Sequence, residues 1–67
     1  MNKNNFLNAR SDASMTATAL QEGVDRILKA INNCSRETAG ELLPDAISLV
    51  GMANQLLIDI NLLTMVG

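Results

Sequence analysis

The stretch DAISLVGMANQLLIDINLLTMVG, residues 45–67, decides the fold. It holds no Lys or Arg and only two acids, Asp45 and Asp59. Its apolar side chains occupy most of a helical wheel, and such a helix must be covered on more than one side. A helix over about 44–66 is about 33 Å long. Pro44 suits its first position, because the missing N–H has no intrahelical partner there. Asp45 then lies in the first turn, where the helix dipole favours a carboxylate.

Two apolar seams run along this helix. The first is Ala46, Leu49, Ala53, Leu56, Ile60 and Leu63, at alternating three- and four-residue spacing. The second is Ile47, Asn54, Ile58, Asn61 and Met65, with Val50 and Leu57 between the two. Asp45, Ser48, Gly51, Gln55 and Asp59 make up a polar strip. An Asn among apolar residues is the device that fixes register and oligomeric state in coiled coils, so Asn54 and Asn61 mark the second seam as a self-association surface.

Upstream, SRETAGELL, about residues 35–43, reads as the connection. Ser35, Thr38 and Gly40 are stop and start signals, and Thr38 with Glu41 forms a capping-box pattern. The first helix is expected over about 13–34. Ala13, Ala17, Leu20, Val24, Ile27, Ile31 and Cys34 form an unbroken heptad seam, widened by Leu28. Asp25, Arg26, Lys29 and Asn32 face the other way. Ser11 or Asp12 is the expected N-cap, with a later start at a Thr18–Gln21 capping box as the alternative. Gly23 reads as a tolerated surface glycine and Cys34 as a packed, inert thiol. Residues 1–11 are polar, Asn-rich and aperiodic, and read as a flexible tail.

One domain of 67 residues buries little surface alone and usually needs a disulfide, a metal or a partner. A single cysteine and no histidine remove the first two options. One seam on the first helix covers only one of the two seams on the second. The expectation is an all-α antiparallel helical hairpin over 12–67 that pairs into a homodimeric four-helix bundle.

Catalytic, cofactor-binding and metal-ligating residues are all absent from this reading. The usual general base, a histidine, is missing, and no phosphate loop or carboxylate pair occurs. Residues 1–36 carry five basic and three acidic side chains, and residues 37–67 carry four acids and no base. Arg26, Lys29 and Arg36 make a weak basic edge. Small hairpin dimers of the Rop type bind RNA from such an edge; the resemblance is architectural, and no Rop motif is present. Glu22 and Asp25 dilute the edge, which makes nucleic acid an unfavoured partner. Phe6 is the one aromatic residue, and with Leu7 it forms a candidate contact for another protein.

A membrane span is the remaining account of the apolar helix. Asn54, Gln55, Asp59 and Asn61 in its middle and second half argue against it, since a central Asp costs about 3 kcal/mol on insertion. The N-terminus lacks the apolar run of a signal peptide, and a lone thiol fits a reducing compartment, so the expected location is cytoplasmic. The function these features fit is a small regulatory, adaptor or co-chaperone module that works by protein contacts. Helical-hairpin secretion co-chaperones and small dimeric bacterial regulators share that general shape.

Overall fold

The computed structural model describes residues 3–66, with side chains from Asn5 to Val66. The chain is an antiparallel helical hairpin. Helix α1 spans Lys3–Asn33, a single 3-10 turn covers Ala39–Glu41, and helix α2 spans Leu42–Met65. The two helices pack side by side along a rod of 53 × 15 × 10 Å.

Helix α1 starts about ten residues earlier than the periodicity implies. Residues 3–11 are helical and not a flexible tail, while residues 1 and 2 lie outside the described residues. Ser11 and Asp12 are therefore interior to the helix and cap nothing. Thr18 likewise sits mid-helix, its Oγ1 donating to the carbonyl of Ser14 at 2.9 Å. The physical reason is tertiary. Asn5, Asn8 and Ala9 share a groove with Asp59, Leu62 and Val66 at the far end of α2, so the first turns have a surface to lie on. A polar segment that lacks its own period still becomes helical when a neighbouring helix offers contacts.

The connection closes through Ser35 and Thr38. The Ser35 N–H donates to Thr38 Oγ1 at 2.9 Å, and the Thr38 N–H donates back to the Ser35 carbonyl at 3.2 Å. Thr38 thus reaches back to Ser35 and not forward to Glu41, whose backbone N–H meets the Thr38 carbonyl at 3.0 Å. Helix α2 begins two residues before the expected Pro44, which still falls within the first turn, where N–H groups lack helical partners.

The intramolecular seam is rotated from the expected one. In α1 the inward positions are Ala9, Ala13, Thr16, Leu20, Gly23, Ile27 and Ala30, with Cys34 just past its end. In α2 they are Leu42, Leu49, Met52, Leu56, Asp59 and Leu63, with Val66 at its C-cap. Each helix keeps one row of its expected seam and swaps the other. Ala17, Val24 and Ile31 give way to Thr16, Gly23 and Ala30, and Ala53 and Ile60 give way to Met52 and Asp59. The residues brought inside are on the whole smaller or more polar than those left outside.

Gly23 shows why. It is buried, and a Cβ placed on it would lie 2.7 Å from Leu49 Cδ2 and 3.7 Å from Met52 Sδ. It is the close-approach point of the two helices and not a surface glycine. Gly23→Ala would gain about 1 kcal/mol of helix propensity and lose about 1–3 kcal/mol to overpacking. The expected net effect is a loss of about 1 kcal/mol, read from urea unfolding at fixed protein concentration. A gain equal to the full propensity term would show that Leu49 moves aside freely.

Candidate functional site

Asp59, expected on the polar strip, is only 8% exposed. Thr16 Oγ1 donates to its Oδ2 at 2.6 Å across the helix pair. Gln55 Nε2 donates to its Oδ1 at 2.9 Å from one turn earlier on α2. The side chain follows the heptad positions of Leu56 and Leu63, so the fold places it inward whatever its polarity. The triad is a structural clasp between the helices. Among the described residues no group of three or more His, Cys, Asp or Glu side chains converges in a way that could hold a metal ion.

Most of the apolar side chains lie on the outer surface. Among the described residues, Ala13 is the one buried apolar side chain. Large apolar side chains on the outside include Leu28, Leu43, Val50, Leu57 and Leu62 besides those of the seams. Their arrangement follows from helix geometry. In two antiparallel right-handed helices, residues four after a seam position fall on the same flank of the pair, and residues just before a seam position fall on the other. The second flank is visible directly. Arg26 and Ser48 border one groove, and Asp12 and Gln55 border another. The first flank therefore gathers Ala17, Val24 and Ile31 of α1 with Ala46, Ala53 and Ile60 of α2, all exposed. Leu28, Val50 and Leu57 extend it outward. The hairpin thus has one grooved face of mixed character, where Met15 and Leu62 stand among Asp12, Arg26, Ser48 and Gln55, and one flat apolar face.

The other sequence-derived candidates are placed as follows. Ile47, Asn54 and Asn61 lie on the side of α2 turned away from α1, with Ile58 and Met65 beside them. All five are exposed, Ile47 at 70% and Met65 at 73%. Phe6 is 38% exposed and falls in the register of the α1 seam, one turn before Ala9, while Leu7 points outward. Arg26, Lys29 and Arg36 are exposed at the loop end. Arg26 shares its groove with Asp45, so an acid joins Glu22 and Asp25 in offsetting that edge. Cys34 is a free, half-buried thiol at the end of the α1 seam.

Deleting residues 3–10 is expected to lower the melting temperature, because it removes the helical turns that lie against Leu62 and Val66. An unchanged melting temperature, read by circular dichroism, would return Phe6 and Leu7 to the role of a recognition tail.

The segment Ala39–Met65 is long and apolar enough to cross a membrane, with a mean hydropathy of 1.5 over its best window and 6% of that window buried. The hairpin opposes insertion as packed. Gly23 lies against Leu49 and Met52, so Glu22, Asp25 and Arg26 sit beside the middle of α2 and would enter the bilayer with it.

Sequence reasoning missed the Thr16–Asp59 clasp and the flat face. The signal for the clasp was the 56–59–63 spacing, which puts Asp59 in a heptad row with two leucines. The signal for the face was that the apolar rows are wider than one helix contact can use. Comparison with protein-family models, with curated proteins and with solved structures finds no match to this chain.

Proposed function

We propose that this chain is a small non-enzymatic interaction module, regulatory or adaptor in kind, that works as a homodimer and offers helical faces to another protein. One observation carries the reading: the hairpin is too open for its size. Its radius of gyration is 15.7 Å, against about 11 Å for a compact chain of this length. It exposes 5167 Å², about 1,000 Å² more than a folded monomer of its mass. A standard interface removes about 800 Å² from each partner, so one such contact absorbs the excess. Two helices form one layer, and a stable domain needs a second layer to close its core. A copy of the chain supplies that layer without any other component.

Light scattering on the purified protein tests this. The expected mass is twice the 7.2 kDa of the chain. A stable, folded species of 7.2 kDa at micromolar concentration would refute it.

The apolar span of α2 supports a second reading, a membrane-associated helical protein. Flotation with lipid vesicles separates the two, since a soluble bundle stays at the bottom of the gradient. Nucleic-acid binding by the Arg26–Lys29–Arg36 edge is the weaker alternative, and a steep loss of affinity with salt would reveal it.

A further inference from the structure

The reading above leaves open which surface the second copy covers, and the packing of the hairpin answers it. We infer that the flat apolar face, carrying Ala17, Val24, Ile31, Ala46, Ala53 and Ile60, is the dimer interface, and that a second copy of the same face is its occupant. This inference rests on the homodimer proposal and deepens it.

In each helix the apolar stripe joins the row of Leu20 and Ile27, or of Leu49 and Leu56, to the exposed row four residues on. At heptad spacing, that stripe is centred about 50° away from the line joining the two helix axes. Both stripes turn toward the same flank. In a square four-helix bundle each helix directs its apolar stripe at the centre, about 45° from the direction of its neighbour. The hairpin therefore already has the rotation that half of a bundle requires. An isolated two-helix pair would turn its largest side chains inward, yet Val24 and Ile60 stay 45% and 44% exposed while Gly23 and Asp59 occupy the inner positions.

Thr16 pairs with Asp59, and Gly23 with Leu49 and Met52, which sets the levels of the two helices. At these levels Ala13 and Ala17 lie opposite Ile60 and Leu56, and Ile27 lies opposite Ala46. Those levels each match a small residue with a large one, whereas Val24 and Ile31 stand level with Leu49 and Leu42.

Arg10 is the one charged side chain among the described residues of this face, at its open end, whereas the opposite flank carries Asp12, Glu22, Arg26 and Lys29. An uncharged face meets its own copy without leaving a charge unpaired. It also lacks the row of Lys and Arg that anchors an interfacial helix on lipid. The surplus exposed area, about 1,000 Å² per chain, matches one standard interface.

Thiol labelling of the intact protein tests the assignment without depending on a destabilised variant. In a Cys34→Ser background, Ala53→Cys puts a thiol on the flat face, and Asn54→Cys puts one on the far side of α2. In the dimer the Ala53→Cys thiol is expected to react at least about tenfold more slowly than that of Asn54→Cys, with the difference lost on dilution into monomer. Mass is measured on the same samples. A dimer in which both thiols react equally, or Asn54→Cys is the protected one, overturns the face and leaves the dimer standing. A sample that is monomeric throughout overturns the dimer itself. Protection of Ala53→Cys that appears only on adding neutral or anionic vesicles assigns the face to lipid and overturns the inference.

Discussion

Thr16→Val is expected to lower the unfolding free energy by about 2 kcal/mol at fixed protein concentration, whereas Asp59→Leu is expected to raise it by about 1–3 kcal/mol. The two substitutions break the same hydrogen bond, so opposite signs are a demanding outcome. Removing the Thr16 hydroxyl leaves a carboxylate that is 8% exposed with Gln55 as its one side-chain donor among the described residues. Loss of a hydrogen bond to a charged group costs about 1.5–3 kcal/mol. Removing the carboxylate leaves a hydroxyl that can turn to the carbonyl one turn back, as Thr18 does to Ser14 at 2.9 Å. It also places a leucine in the row of Leu56 and Leu63, and replacing a buried charge with a packed apolar side chain is often stabilising. The purpose of Asp59 is then register. A slip of one helix along the other separates it from Thr16 and strands it against apolar residues. Asp59→Leu should therefore be more stable and less uniform in mass and in amide spectra. Destabilisation by both substitutions would mean that the clasp contributes net stability, and the register argument would fail.

Val24→Glu and Ile60→Glu are each expected to raise the dimer dissociation constant at least about a hundredfold, equivalent to about 3 kcal/mol. Each change enters twice in a two-fold dimer and places an unpaired carboxylate in the new core. Met65→Glu, at a position 73% exposed on the other side of α2, is expected to leave dissociation within about threefold of the parent. Sedimentation equilibrium gives all three constants. If Met65→Glu or Ile58→Asp dissociates the dimer and the face substitutions do not, self-association runs through Ile47, Asn54, Ile58, Asn61 and Met65, as the second seam by itself implies.

The hairpin was legible because two helical periods flank a connection with turn residues. The helix start was not, since residues 3–11 have no apolar period and become helical against Leu62 and Val66. The inward rows were half legible. Leu20, Ile27, Leu49, Leu56 and Leu63 face the partner helix as their spacing implies. Val24, Ile31, Ala53 and Ile60 do not, because periodicity locates an apolar stripe but not the side from which it is covered. The same stripe serves an isolated pair and a bundle, and the two differ by a rotation that hydropathy does not encode. Gly23 and Asp59 carried that information, the one by lacking a side chain at the crossing and the other by needing a donor on the facing helix.

The most direct test of the central claim, that one hairpin is half of a folded unit, is a dilution series from about 100 μM to about 10 nM with mass and helicity followed together. Mass is expected to fall from dimer to monomer with a concurrent loss of helical circular dichroism, because the separated hairpin exposes its apolar face and frays. A chain that stays monomeric and fully helical across the whole range would contradict the account.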